Sequence, residues 1–172
     1  MARTGAEYIA SIRDGRTVYV NGERVADVTE HPAFSAAVRS IAHLYDLAAS
    51  PEHRETMTFP SPVTGEPVNK CFLIPKTAED LAARRGAHRL WADATFGFMG
   101  RSPDHVPGFI TGFAMRPDLF ARQGQRFADN VVGYHAWLRD SDLYAAYVII
   151  PPHIDRSRPA HQQEDPQLYA GV

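Results

Sequence analysis

The stretch Gly97-Phe98-Met99-Gly100-Arg101-Ser102-Pro103-Asp104-His105 holds the side chains best suited to chemistry. Two glycines allow close backbone approach and a sharp change of direction between helices. Ser102 reads as the cap of the next helix, so Arg101 stands at a helix N-terminus, a place that favours anions. A guanidinium is always charged and presents a fixed fork of donors, so this bend can bind a carboxylate or stabilise a phenolate. His105 lies one helical turn beyond Arg101, and both can face one cavity. Spacing alone also fits a plainer arrangement, a capped helix start with a surface arginine and a solvated histidine.

Other chemistries find less support. The eight histidines contain no His-x-x-x-His or His-Glu-x-x-His pair of the kind that holds zinc on a helix. His31 precedes a helix and reads as its cap, whereas His43, His88 and His135 fall inside helices, where hydrogen-bonded structural roles are expected. The single cysteine, Cys71, excludes an intramolecular disulfide framework and a cysteine-rich metal site, and its apolar surroundings predict a buried, inert thiol. There is no Gly-x-Ser-x-Gly elbow and no glycine-rich phosphate loop after a strand. Trp91, Phe96, Phe98, Phe109 and Phe113 surround the glycine bend. Ordinary core packing is expected for most, with one or two lining a flat aromatic pocket as the alternative.

The elements that must position these residues are mainly helical. Thr4 with Glu7 forms a capping box opening a helix from Glu7 to about Asp14. Thr17–Val20, Asn21-Gly22 and Glu23–Val25 predict a hairpin, because Asn-Gly tolerates the positive φ of a type I′ turn. Pro32 suits the first position of a helix reaching Ala49, with Phe34, Val38, Ile41, Leu44, Tyr45 and Ala48 at helical spacing. Pro51 to Pro75 is irregular, with five prolines and extended pieces at Thr56–Phe59 and Asn69–Ile74. Thr77 and Asp80 cap a long helix that Gly97 and Gly100 end. Helix resumes at Ser102-Pro103-Asp104, is interrupted by Pro107-Gly108, and continues over Phe109–Met115. Pro117 then opens a long helix to about Asp140. Leu143–Ile150 reads as a strand stopped by Pro151-Pro152, a polar loop covers Asp155–Gln167, and Leu168–Val172 begins another apolar run. A strand starting there has no partner left, which predicts that more polypeptide follows. The pattern gives an N-terminal helical domain over 1–140, then a linker and the first strands of a β domain over 141–172.

At 172 residues, 44% hydrophobic and 22% charged, the chain has the length and composition of one globular domain. A net charge of -2 without a basic run argues against nucleic acid as a partner. No apolar run approaches the ~20 residues of a membrane span and no secretory signal opens the chain, so a cytoplasmic location is expected.

Several ordered strings carry a family resemblance. They are Arg3-Thr4-Gly5-Ala6-Glu7-Tyr8, Arg13-Asp14-Gly15-Arg16, Asn21-Gly22-Glu23-Arg24-Val25, Asp27-Val28-Thr29-Glu30-His31-Pro32-Ala33-Phe34, Gly100-Arg101-Ser102-Pro103-Asp104 and Asp155-Arg156-Ser157. In these the chain resembles the N-terminal region of the 4-hydroxyphenylacetate 3-monooxygenase family, large oxygenase component. The resemblance implies an acyl-CoA-dehydrogenase-like architecture: an N-terminal helical domain, a middle β domain and a C-terminal bundle, assembled as a tetramer. It implies reduced FAD supplied by a separate NAD(P)H:flavin reductase, molecular oxygen as co-substrate, and a C4a-hydroperoxyflavin that hydroxylates a phenolic ring. In the family the arginine of the Gly-Arg-Ser-Pro-Asp string contacts the phenolic oxygen, which carries over to Arg101. The family's tyrosine four residues on is His105 here, and its histidine on the following strand falls at Tyr147, so the two polar rings are exchanged. Pro152, His153 and Arg156 match a segment near the flavin, where the residue at His153 is often glutamine. The rest of the flavin site would lie beyond Val172, which implies a fragment or one subunit of a split enzyme.

Two alternatives stay open at this point. One is 4-hydroxybutyryl-CoA dehydratase, which shares the architecture but needs cysteine ligands for an iron–sulfur cluster. The other is a non-catalytic helical module that supplies assembly contacts.

Overall fold

The computed structural model describes residues 2–97, 104–147 and 155–164. Its first element, α1 (Gly5–Ser11), has the expected capping box: the Thr4 side chain accepts the Glu7 N–H while the Glu7 carboxylate accepts the Thr4 N–H at 2.7 Å. The helix starts two residues earlier than the sequence suggests because Gly5 lies flush against α2 (Ser35–Ala49). Its N–H donates to Asp46 Oδ1 at 2.7 Å, and a Cβ there would come within 2.5 Å of the Ala42 carbonyl oxygen. Tyr8 and Tyr45 stack at 5.1 Å across this contact. Between the two helices, β1 (Val18–Val20) and β2 (Glu23–Val25) pair antiparallel through Asn21 at φ 52° and Gly22 at φ 85°, as the Asn-Gly signal predicts. Helix α2 begins three residues after Pro32, because His31 first closes a turn of its own: its Nδ1 accepts the Ala33 N–H at 3.1 Å.

The proline-rich stretch departs from expectation. Ser50 accepts backbone N–H groups of His53 and Arg54, which starts a short helix, α3 (Arg54–Met57), where an extended piece was expected. The chain then forms a second hairpin, β3 (Thr58–Pro60) with β4 (Pro67–Asn69). Asn69 caps a 3-10 turn over Lys70–Phe72 by accepting the Cys71 N–H, so Cys71 sits in that turn and not in a strand. Its thiol is buried as expected, and burial raises its pKa.

Helix α4 (Ala78–Ala94) opens on the Thr77–Asp80 capping box. It ends in a Schellman arrangement: Phe96 N–H donates to Asp93 and Gly97 N–H to Ala92. The left-handed residue is Phe96 itself, φ 53°, with Gly97 following at φ 69°. Helix α5 (His105–Ala114) runs without interruption through Pro107-Gly108. Pro107 falls in the first turn, where its missing N–H would have had no helical partner, so it costs the helix nothing. The helix expected from Pro117 to Asp140 is two: α6 (Pro117–Ala121) and α7 (Gln125–Asp140), separated at Gly124 by a φ of 128°.

The main core joins α2, α3, α4 and α7 through Leu44, Met57, Phe72, Trp91 and Leu138, with Trp91 Nε1 donating to the Leu44 carbonyl at 3.0 Å. A second cluster of Tyr8, Val38, Ala42 and Tyr45 seals α1 to α2. His135 is structural, as predicted. Its Nε2 lies 3.1 Å from the Phe72 carbonyl and 3.4 Å from Thr111 Oγ1, tying α7 to α5 and the 3-10 turn. Buried Arg139 forms a bidentate pair with Asp140, whose Oδ1 also accepts Ser61 Oγ at 2.7 Å, fastening α7 to the second hairpin.

Helix α7 also closes with a Schellman motif, and its left-handed residue is Asp142 at φ 46°. The fully buried Asp142 side chain accepts the Arg3 N–H at 2.8 Å. Arg3 Nε donates to the Asp142 carbonyl at 2.7 Å, and Arg3 Nη2 and the Asp142 carbonyl both engage Tyr45 Oη, at 3.0 and 3.1 Å. No helix described here is long and apolar enough to cross a membrane.

Two substitutions test these contacts. Gly5→Ala forces backbone against backbone and should cost about 1–3 kcal/mol of stability, read as a lower Tm. Asp142 has its pKa raised to about 6, chiefly by burial and against the pull of the Arg3 N–H. Since the folded-state value exceeds the unfolded one, the ionised form costs stability, and that cost grows as pH rises from about 4 to 6. Asp142→Asn should remove this slope, so urea unfolding of the variant and the parent should diverge by about 1–3 kcal/mol over that window.

Candidate functional site

Three rings converge at the start of α5. His105, the first helical residue, packs its imidazole against Phe109 one turn on, at 4.9 Å between centroids and 69° between planes. Tyr147, forty-two residues away in sequence, meets both: His105 at 5.4 Å and 32°, Phe109 at 5.5 Å and 72°. His105 Nε2 is buried and makes no hydrogen bond among the described residues, so it is an unused polar atom at the centre of an aromatic cluster. Apolar ring faces beside a polar ring nitrogen are a combination that suits a planar aromatic molecule.

Tyr147 arrives there because the turn after α7 dictates the path of 143–147. Leu143 and Ala145 pack on the main core and Tyr144 on the Tyr8–Tyr45 cluster, an alternation that keeps the period of two seen in the sequence. The expected strand is absent over these residues: 143–147 pair with no other strand among the described residues.

Beside the three rings lies an open groove of about 520 Å³ between α5, α7 and 143–147. Phe109, Phe113, Tyr134 and Trp137 line it and are substantially exposed, Trp137 by 54%. Core packing, expected for most of the bend's aromatics, gives way here to the alternative: Phe109 and Phe113 line the groove, and Phe96 is 91% exposed. Of the bend's five aromatics only Trp91 lies in the described core; Phe98 is outside the described residues. A smaller cavity of about 290 Å³ between Phe59, Phe72 and Ile74 carries less chemistry, since His135 and Arg139 on its wall are already paired.

Behind His105, α4 contributes a polar cluster. His88 Nδ1 lies 3.7 Å from Asp104 Oδ2, and Arg84 Nη2 donates to the Cys71 carbonyl at 3.1 Å. Burial lowers the pKa of both His88 and Arg84; Asp104 opposes this in each case, and Arg84 adds to the depression of His88. His88 Nε2 and Arg84 Nε are buried without a hydrogen-bond partner among the described residues.

Of the residues singled out from sequence, the fold brings His105 and Tyr147 together. Arg101, Pro152 and His153 lie outside the described residues, as does Ser102 with its expected cap. Arg156 is exposed in the turn at 155–158. Sequence reasoning missed the Phe109 contact, which the i, i+4 spacing from His105 could have shown. It also missed Tyr134 and Trp137, whose helical periodicity looks like core, and the pairing of Asp104 with α4.

The description "4-hydroxyphenylacetate 3-hydroxylase N terminal" fits residues 4–172. The oxygenase component of 4-hydroxyphenylacetate 3-monooxygenase from Thermus thermophilus is 42% identical over 173 residues, covering 100% of this chain and 35% of that protein. A crystal structure of such an oxygenase component, complexed with FAD and 4-hydroxyphenylacetate, superposes with a TM-score of 0.84 at 43% identity, over 96% of this chain and 34% of that one. A 4-hydroxybutyryl-CoA dehydratase from N. maritimus shares the fold at a TM-score of 0.76 and 24% identity, over 98% of this chain and 33% of that one. The chain thus spans about a third of the length of its relatives. With its ordered motifs, its helical architecture and the match over 4–172, the chain belongs to the 4-hydroxyphenylacetate 3-hydroxylase N-terminal family.

Proposed function

We propose that this chain forms the N-terminal part of a reduced-FAD-dependent, two-component monooxygenase that hydroxylates a phenolic ring. The observation that carries the reading is the meeting of His105 and Tyr147, two polar rings far apart in sequence, beside an aromatic groove, with His105 Nε2 making no hydrogen bond among the described residues. In this reading residues 1–140 are the helical domain and 141–172 lead into a β domain, within a cytoplasmic tetramer served by a separate flavin reductase.

The residues present suit the reaction's aromatic partners. The groove offers the ring faces of Phe109, Phe113, Tyr134 and Trp137 to a planar molecule, and Tyr147, which lines it, brings the His105 ring to its edge. Pro152, His153 and Arg156 would hold the flavin. Reduced FAD with molecular oxygen supplies the chemistry: one oxygen atom enters the ring, the other leaves as water, and the flavin is oxidised. The chain's own residues bind and orient the phenol. Arg101 draws the phenolic oxygen toward its ionised form, His105 and Tyr147 hydrogen-bond that oxygen, and Phe109 fixes the ring plane. An ionised phenol is electron-rich at the ortho carbon, so stabilising phenolate promotes transfer of an electrophilic oxygen to that position.

A dehydratase built on an iron–sulfur cluster is not favoured by these residues. The single cysteine is buried in the core with its backbone carbonyl held by Arg84, and the likeness to that enzyme extends to the fold alone. A non-catalytic module remains the rival that experiment must exclude.

In the full oxygenase, Arg101→Ala should lower phenol hydroxylation about 10²-fold or more with an unchanged circular dichroism spectrum. Turnover at the parental rate would remove Arg101 from the mechanism, and turnover absent in the parent enzyme too would favour the non-catalytic module. His105→Phe removes a hydrogen bond to phenolate, so the bound phenol should ionise at higher pH and the rising limb of the pH–rate profile should move up. An identical profile would refute the role given to His105.

A further inference from the structure

Asp104 occupies the N-cap position of α5, and aspartate is among the best residues for accepting the free N–H groups of a first helical turn. It makes no such bond: α5 has no side-chain cap. The Asp104 backbone carbonyl accepts the Gly108 N–H at 3.0 Å, so the main chain is helical while the carboxylate is turned elsewhere. It faces α4, with Oδ2 at 3.7 Å from His88 Nδ1, and both side chains are about three-quarters shielded from solvent. Its charge also reaches Arg84 from α4, Cys71 from the 3-10 turn and Tyr144 from the segment after α7. A carboxylate directed away from its own helix and into the polar cluster of another ties the two helices together at that point.

We infer that Asp104 is a positioning residue: set against His88 of α4, it fixes where α5 begins and so holds the His105 ring against Tyr147. The physical reason is adjacency. His105 is the next residue, and its imidazole sits at the first helical position, where no preceding turn of α5 steadies it. Phe109 braces one edge of the ring and Tyr147 its face, while Asp104 sets the backbone from which it projects. The inference extends the reading of His105 as a phenol-facing residue and rests on it only for its consequence in catalysis.

Two variants test the link in the 172-residue chain. Asp104→Asn keeps the shape and removes the charge; His88→Gln removes the titrating partner and leaves Asp104 intact. Imidazole resonances followed by NMR should show the His88 pKa in Asp104→Asn falling further, because the charge that opposes burial is gone. The nuclear Overhauser contacts between the His105 and Tyr147 rings, present in the parent, should weaken severalfold in both variants. An unchanged His88 titration, or ring contacts of parental strength in a folded variant, overturns the proposal. If Asp104→Asn does not fold, His88→Gln decides it by the same contacts. If the ring contacts are lost yet a full oxygenase carrying Asp104→Asn keeps its kcat and KM for a phenol, the positioning role stands and the catalytic role of His105 falls.

Discussion

The arrangement depends on a clasp between the beginning of the chain and the end of its last long helix. Arg3 and Asp142 are 139 residues apart and bind each other twice, backbone N–H to carboxylate and guanidinium to carbonyl, over the hydroxyl of Tyr45. The guanidinium lies 4.9 Å above the Tyr45 ring, adding a cation–π contact to the hydrogen bonds. A buried carboxylate is costly unless its lone pairs are used, and here its conformation is costly as well, because φ is positive. Both costs are met at one place, where the chain leaves α7 and turns toward the three-ring cluster. The clasp sets the direction in which residues 143–147 leave α7, and their packing on the core carries them on to α5.

The buried polar groups divide into two kinds. Arg139 with Asp140, and His135 with the Phe72 carbonyl, are saturated and serve to lock elements together. His88, Arg84 and His105 each keep a buried nitrogen without a hydrogen-bond partner among the described residues, and all three lie around the start of α5. Unsatisfied polar atoms are rare in folded proteins because each costs free energy, so their gathering around one helix start sets that region apart from the saturated pairs.

Much of this was readable beforehand. The two capping boxes at Thr4 and Thr77, the Asn21-Gly22 turn and the buried thiol of Cys71 follow from local chemistry, and local chemistry prevailed. The family pattern pointed to His105 and Tyr147 as a pair, and the fold brings these two rings together across forty-two residues. Failures have physical causes. Pro107 looked like a break because its place within the first turn depends on where the helix starts, and Gly124 split the last helix through a dihedral that composition does not reveal. Tyr134 and Trp137 have the spacing of core residues, and periodicity cannot tell a face that meets the core from one that meets a groove. The turn of Asp104 toward α4 was invisible, since sequence marks a capping residue without saying which way its side chain goes.

The left-handed Phe96 has a further consequence. The last carbonyls of α4 are satisfied by the Phe96 and Gly97 amides, and the Asp104 carboxylate lies against His88 of that same helix. Gly97 and Asp104, the described residues that flank the span of Arg101, therefore share a single frame, α4. Changes along α4 can retune that frame while every groove side chain stays as it is, which gives relatives on this scaffold a route to diverge in preference without altering the surfaces a bound molecule would touch.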